Sequence, residues 1–201
     1  MSKSAFLLSA MLSLPLAATA AERIPLADLS AFLNELTTAK GSFTQINPDG
    51  TISTGTLYIH RPGRMRFEYD PPDPALVMAG GGTVAIFDRK SNEPPQQFPL
   101  KETPLWVILE RNVDLGRADM ITAHVADDVA TTITAQDPEN PDLGHIELRF
   151  TAEPVELRQW IITDQGGAAT TVILGDMERG LDLGASLFSV PIELRKLRET
   201  R

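Results

Sequence analysis

Residues 55–69, GTLYIHRPGRMRFEY, restrict the possible folds of this chain more than any other stretch. Apolar and polar side chains alternate on both sides of Arg61, Pro62 and Gly63, and a period of two is typical of half-buried antiparallel strands. Pro62 fixes its own φ, and Gly63 tolerates the positive φ that a type II turn needs. The stretch therefore predicts two strands joined by a tight turn.

The alternation places the side chains of this hairpin on two faces. The first face is apolar and carries Leu57, Ile59, Met65, Phe67 and Tyr69. The second face is mostly polar and carries Tyr58, His60, Arg64, Arg66 and Glu68. Spacing alone favours an ordinary packed core for the first face and a solvated charge for Arg61 at the hairpin tip.

Two segments have helical patterns. In residues 24–40 the apolar side chains recur at i, i+3, i+4 and i+7, which predicts an amphipathic helix that ends at Gly41; these side chains are Leu29, Phe32, Leu33 and Leu36. Residues 103–109 offer a capping Thr103, then Pro104 and an apolar run, which predicts a short helix. This second helix is apolar nearly all round, so we expect it to lie across or inside a sheet.

Short alternating segments separated by turn residues predict an antiparallel meander of about ten strands. Besides the hairpin, the predicted strands are 41–46, 51–60, 76–78, 83–88, 121–126, 129–135, 144–151, 155–164 and 168–174. Residues 91–99 are polar and contain prolines, so we interpret them as a loop. Residues 188–191 are a candidate for a last strand, and the charged residues 193–201 for a frayed terminus.

The first twenty residues have the pattern of a secretory signal peptide. Lys3 is their only charge, an apolar run follows, and Ala18-Thr19-Ala20 forms a small-x-small cleavage pattern. We therefore expect a mature chain of residues 21–201, folded as one domain and located in the periplasm if the source is Gram-negative. No lipid-attachment cysteine is available, since the chain has no cysteine.

Charge and composition exclude several classes of function. Seventeen basic residues remain after Lys3 is removed and face 27 acidic ones, a net charge of −10 that argues against nucleic-acid binding. His60, His124 and His145 lack metal-ligand spacing, and no nucleophile motif accompanies them. The sequence predicts no enzyme active site, no metal site and no cofactor.

The hairpin resembles a signature of the LolA family, the periplasmic carriers of outer-membrane lipoproteins. The resemblance covers Gly55, Leu57, Ile59, Arg61-Pro62-Gly63, Met65-Arg66-Phe67 and Tyr69, followed by Pro71-Pro72 and Leu76-Val77. Residues 41–45, GSFTQ, are similar to the first strand of that family, and Leu187-Phe188 before Pro191 to its C-terminal strand. The resemblance therefore extends over nearly the whole mature chain.

The resemblance implies an incomplete antiparallel β-barrel, a half-barrel covered by α-helices that enclose a hydrophobic cavity. Alternation alone cannot distinguish such a cavity from a filled core. The wall would consist of Leu57, Ile59, Met65, Phe67, Tyr69, Ile86, Trp106 and Ile108. Arg61 matches the arginine that holds the family's helical lid closed, and Met65 stands where many relatives carry an aromatic residue.

The implied function is to bind the acyl chains of lipoproteins and to carry them across the periplasm. The partners implied by the family are an inner-membrane ABC transporter that releases lipoproteins and an outer-membrane acceptor, with the carrier acting as a monomer. Two alternatives remain open from the residues: a carrier of other lipids, such as acyl lipids or glycolipids, and a regulatory module that senses lipoproteins.

Overall fold

The computed structural model describes residues 22–91, 93–117 and 119–199, so the predicted signal peptide lies outside the described residues. The α-helices are α1 Leu26–Glu35, α2 Trp106–Leu109 and α3 Val190–Glu199. The strands are β1 Thr38–Ile46, β2 Ile52–His60, β3 Met65–Tyr69, β4 Ala75–Gly80, β5 Thr83–Asp88, β6 Gln96–Pro99, β7 Ile121–Ala126, β8 Thr131–Gln136, β9 His145–Thr151, β10 Glu156–Thr163 and β11 Ala169–Arg179. Three short 3₁₀ turns cover Leu100–Glu102, Pro141–Leu143 and Ala185–Phe188.

All strands form one antiparallel sheet in the order β6-β5-β4-β3-β2-β1-β11-β10-β9-β8-β7. The last strand returns to pair with the first, so β1 and β11 join two meanders in the middle of the sheet. Strands β6 and β7 are the two edges and do not pair, so the sheet stays open. This arrangement confirms the predicted incomplete antiparallel barrel with helices.

The hairpin of β2 and β3 has the predicted sorting of side chains by face. Leu57 lies opposite Phe67, and Ile59 lies opposite Met65. These four side chains are buried on the face of the sheet that also contacts α1, which we call the inner face. Phe67 contacts the ring of Trp160 edge-on at 6.1 Å, which connects the two meanders across the core.

Helix α1 covers part of the inner face. Leu29 and Leu33 are fully buried on the predicted apolar stripe, and the ring of Phe32 lies 5.8 Å from that of Phe150 on β9. The helix ends at Glu35 rather than at Gly41, because Leu36 leaves the helical region and the chain enters β1 at once. Gly41 lies inside β1, where a Cβ would collide with Asp176 and Met177 of β11.

Helix α3 packs on the opposite, outer face of the sheet. Its Val190 belongs to a second apolar cluster, together with Leu76, Met78, Ala85 and Phe87 of β4 and β5. The predicted last strand at 188–191 was therefore wrong, and residues 193–199 are helical rather than frayed; residues 200–201 lie outside the described residues. Pro191 is compatible with the first turn of a helix, and Val190, Leu194 and Leu197 have the i, i+4, i+7 spacing of a helix face.

Arg66 on β3 connects this helix to the sheet. Its guanidinium donates to Glu193 Oε2 at 3.3 Å, to the Leu187 carbonyl at 3.1 Å and to Glu68 Oε1 at 2.7 Å. Arg66 is only 4% exposed, although the sequence placed it on a polar face. The outer face is therefore not solvated at this point, because α3 covers it.

Two further details of the sheet differ from the predicted strands. Residues 96–99 are not loop but the edge strand β6, which tolerates Pro99 because one side of an edge strand needs no partner. A bulge in β10 between Leu157 and Gln159 brings Leu157 into the same core as Trp160, although strict alternation put them on opposite faces.

None of the helices in the described residues is long and apolar enough to cross a bilayer.

Gly55 allows β2 to approach its neighbours closely, because a Cβ there would meet the Glu68 carbonyl and the Phe43 ring. We expect Gly55→Ala to lower the free energy of unfolding by about 1–3 kcal/mol, the usual cost of overpacking a core. Urea denaturation measures this change. Gly184→Ala is the control, since its Cβ would meet nothing closer than Ser186 Oγ at 3.7 Å; equal stability losses in both variants would contradict the explanation.

Candidate functional site

The inner face of β2 and β3 forms one apolar wall. Leu57, Ile59 and Met65 are at most 1% exposed, and Phe67 is also buried. Tyr69 continues the wall at its end, half-buried, with its ring centroid 5.1 Å from that of Phe43. The structure thus brings five of the eight predicted wall residues together on adjacent strands.

Ile86 does not join this enclosed wall. It lies on the inner face of β5, opposite Val77 and Gln96, but its side chain is 38% exposed. Val84, two residues earlier on the same face, is buried and occupies the core instead. Ile86 lines a separate half-open pocket of about 450 Å³ near the sheet edge, because the buried core does not extend to that end of β5.

The short helix α2 covers the inner face near the open side of the sheet. Ile108 and Leu109 are fully buried in the core, with Leu105 beside them. Trp106 is half-buried: it packs against the core and also lines an adjoining cleft. Thr103 does not cap the helix with its side chain; its hydroxyl donates to the Leu100 carbonyl at 2.8 Å. We call residues 103–110 the lid.

Two donors from the β2–β3 turn hold the C-terminal end of the lid. Arg61 Nη2 donates to the Glu110 carbonyl at 2.6 Å, and the Gly63 N–H donates to the Leu109 carbonyl at 2.9 Å. Arg61 is only 7% exposed, so the hairpin tip is not a solvated charge. Burial lowers the pKa of Arg61, and the nearby Glu110 charge opposes that shift.

The segment after the lid is attached to α1 by two polar side chains that sequence reasoning missed. The Asn34 amide donates to the Val113 carbonyl and accepts from the Val113 N–H, both at 2.9 Å. Ser30 Oγ accepts from the Leu115 N–H at 3.0 Å. Arg61 Nη2 also lies 3.5 Å from Asn34 Oδ1. Asn34 and Val113 are 79 residues apart in the chain and Ser30 and Leu115 are 85 apart, so no local pattern indicates these contacts.

A half-open cleft of about 460 Å³ lies between the lid and the ends of β8 and β9. Its apolar lining includes Trp106, Val107, Met120 and Leu143. Its rim is charged: Lys101 Nζ lies 5.4 Å from the centre of the Trp106 ring, and Arg117 pairs with Glu110 at 2.8 Å. Glu110 is therefore held by its carbonyl on one side and by its carboxylate on the other.

The described residues show no grouping of three or more His, Cys, Asp or Glu side chains that could hold a metal ion. The three histidines lie on different strands, β2, β7 and β9. His60 contacts the Phe188 ring, and His124 Nε2 lies 3.0 Å from the Ile24 carbonyl. The polar side chains at the site bind backbone groups of the lid and of the segment after it, whereas the surface beneath the lid is apolar.

These features define the class of the protein: an open antiparallel half-barrel with an apolar interior and a helical lid. A family model described as "Outer membrane lipoprotein carrier protein LolA" matches residues 34–191. The chain belongs to the LolA family.

Curated relatives agree with this assignment, and a solved structure shares the fold. An outer-membrane lipoprotein carrier protein from Chromohalobacter salexigens is 28% identical, over 94% of this chain and 93% of its own length. One from Xylella fastidiosa is 30% identical, over 77% and 78%. The fold is similar to a putative outer membrane lipoprotein-sorting protein domain from Vibrio parahaemolyticus, with a TM-score of 0.52 at 7% identity, covering 83% of this chain and 96% of that one.

Tyr69 makes the apolar wall sensitive to alkaline pH. Burial, and then the charge of Asp73, raise its pKa to about 12, while its hydroxyl donates to Gln45 Oε1 at 2.7 Å. The unfolded chain ionises near 10, so stability is fully present below that pH and falls as pH rises from about 10 to 12. We expect a loss of up to about 2 kcal/mol in this range.

Phenolate absorbance and urea denaturation at several pH values measure this effect. Tyr69→Phe should abolish most of the alkaline loss of stability. Tyr58→Phe is the matched control. Tyr58 is the other of the two tyrosines in the chain, and burial raises its pKa as well, but its side chain does not belong to the apolar wall. An unchanged pH slope in Tyr69→Phe would contradict the assignment.

Proposed function

We propose that this protein carries lipoproteins across the periplasm by enclosing their acyl chains between the inner face of the sheet and the lid. One observation supports this proposal above all. The apolar inner face is closed on its open side by a four-residue helix, and this helix is fastened at its end by the Arg61 and Gly63 hydrogen bonds. A cleft with an apolar lining lies directly beside that helix.

The free energy gained by burying an acyl chain is larger than that of the hydrogen bonds that hold the lid, so cargo favours the open lid. A hydrogen bond to a charged group contributes about 1.5–3 kcal/mol net, and a neutral one about 1 kcal/mol. Each methylene removed from water contributes about 0.8 kcal/mol, so ten of them contribute about 8 kcal/mol. An acyl chain that enters beside Trp106 therefore outweighs the bonds of Arg61 and Gly63, and the lid opens.

The same contacts promote release. The loaded carrier lacks the Arg61 bond to Glu110, and it regains this bond when the cargo leaves. The equilibrium between open and closed lid is then set by the cargo, as in other population shifts. We call the hydrogen bonds of Arg61 and Gly63 to the lid the tethers. They lower the affinity for acyl chains enough for the lipoprotein to pass to an acceptor.

The relatives and the sequence support the remaining parts of the proposal. Residues 1–20 have the pattern of a signal peptide, which fits a periplasmic carrier of a single domain formed by residues 21–201. We infer loading from an inner-membrane ABC transporter, delivery to an outer-membrane acceptor, and no enzymatic step. Both relatives are named as outer-membrane lipoprotein carrier proteins, which supports the carrier role.

A release assay tests the carrier function. Spheroplasts that produce one lipidated reporter are incubated with the purified protein, and soluble reporter is quantified. We expect a soluble complex with the lipidated reporter and none with a reporter whose acylated cysteine is replaced by serine. Release of neither reporter would contradict the proposal, and mass spectrometry of a co-purified lipid would then identify a carrier of other lipids.

Arg61→Leu tests the role of the lid tether. We expect loading to persist and release to an acceptor to fall, because loss of a charged hydrogen bond favours the open, loaded state by about 10- to 100-fold. Loaded carrier should accumulate, as measured by the reporter fraction that stays bound. Arg64→Leu in the same turn is the matched control, since Arg64 contacts the His60 carbonyl and not the lid. Normal transfer by Arg61→Leu would contradict the tether.

A further inference from the structure

Helix α3 lies almost entirely beyond the part of the chain that the family model matches. The match ends at residue 191, and the helix spans Val190–Glu199. The carrier function of the half-barrel therefore gives no reason for this helix. Its placement on the outer face, away from the lid and the apolar interior, also separates it from the proposed cargo site.

The packing of α3 on the sheet determines which side of the helix is exposed to solvent. Val190 packs in the outer cluster, and Leu194 and Leu197 pack against the same cluster. Glu193 is 8% exposed and accepts from Arg66 at 3.3 Å, so its charge is turned inward and compensated. The apolar side and the buried carboxylate are both used by the protein itself.

The remaining side of α3, which is exposed to solvent, is basic. Arg195, Lys196 and Arg198 are exposed on it, and Glu199 is the acidic residue that accompanies them. Arg89 at the end of β5, 41% exposed, lies 3.9 Å from Glu193 and extends the same surface. The whole chain has a net charge of −9, so this concentration of positive charge runs against its overall composition.

The form of this surface fits a fluid anionic layer better than a folded protein. Protein interfaces are dominated by Trp, Tyr and Arg side chains that cluster in well-packed, desolvated pockets. The arginines of α3 are instead spread over an exposed helix surface, without an aromatic residue to pack on. The exposed side of α3 has no aromatic residue; its exposed residues are Pro191, Arg195, Lys196, Arg198 and Glu199. Long cationic side chains on a helix that lies flat match the diffuse negative charge of acidic lipid headgroups, which needs no shape complementarity.

We propose that the exposed basic side of α3, with Arg89, binds the surface of a bilayer that contains anionic phospholipids. The contact is electrostatic and peripheral, because the apolar side of the helix stays packed on β4 and β5. It holds the protein close to a membrane in an orientation that the sheet determines. This activity is independent of cargo binding, so the carrier proposal can fail while this one holds.

Co-sedimentation with lipid vesicles tests the proposal. The purified protein is mixed at low ionic strength with vesicles of phosphatidylcholine and about 30% phosphatidylglycerol, a composition with a negative surface potential. We expect binding to these vesicles, loss of binding at high salt, and no binding to pure phosphatidylcholine. Arg195→Gln/Arg198→Gln should weaken binding by about 30-fold, which corresponds to roughly 1 kcal/mol per charge.

Arg23→Gln/Arg111→Gln is the matched control, because it removes two exposed positive charges that lie away from α3, Arg23 beside β7 and Arg111 directly after the lid. It should retain most of the binding. Equal weakening by both double variants would overturn the proposal, since net charge alone would then explain the effect. Absence of wild-type binding at low salt would overturn it as well, and so would binding that survives high salt. Thermal melts of both variants should match the wild type, since all four side chains are exposed.

Discussion

The structure depends on covering one continuous apolar face of a sheet that does not close. Strands β6 and β7 are edges without a mutual hydrogen-bond ladder, so the inner face between them must be shielded by helices. A helix of four residues such as α2 is not stable by itself in water. It forms because Ile108 and Leu109 are buried in the core and because Arg61 and Gly63 donate to its last carbonyls. Without α2 the apolar wall would be exposed to water, and without the wall α2 would have no surface to pack on.

Alternation predicted the sheet well where one face of a strand is buried and the other is open. The hairpin of β2 and β3 is the clearest case, because each residue's face follows from its position. The prediction failed where both faces are buried or the ladder is irregular. Arg66 was assigned to a polar face, and its burial was missed because its partner Glu193 lies 127 positions further along the chain. Gly41 looked like a helix end because close packing against β11, which requires glycine there, leaves no local signal.

The site was predictable to a similar degree. Family resemblance, and not spacing, identified Arg61, which spacing alone assigned to solvent; its actual contacts with Glu110 and Asn34 depend on how α1 and the lid pack. The bonds of Asn34 and Ser30 join segments about 80 residues apart and leave no periodic trace. Ile86 lies on the inner face, as alternation indicates, but the extent of the buried core along β5, which leaves Ile86 38% exposed, was not deducible from alternation.

The proposed carrier combines two energies that scale differently. The apolar contribution grows by about 0.8 kcal/mol with each methylene that the interior takes up. The polar contribution of the tethers is a fixed amount, because it depends on Arg61, Gly63 and their carbonyl partners and not on the cargo. A fixed polar cost set against an apolar gain that increases with length creates a threshold: in the proposed mechanism a chain of only a few methylenes would not open the lid, and a long acyl chain would. The charge of Arg61 strengthens its hydrogen bond, so this one residue shifts the threshold without changing the wall.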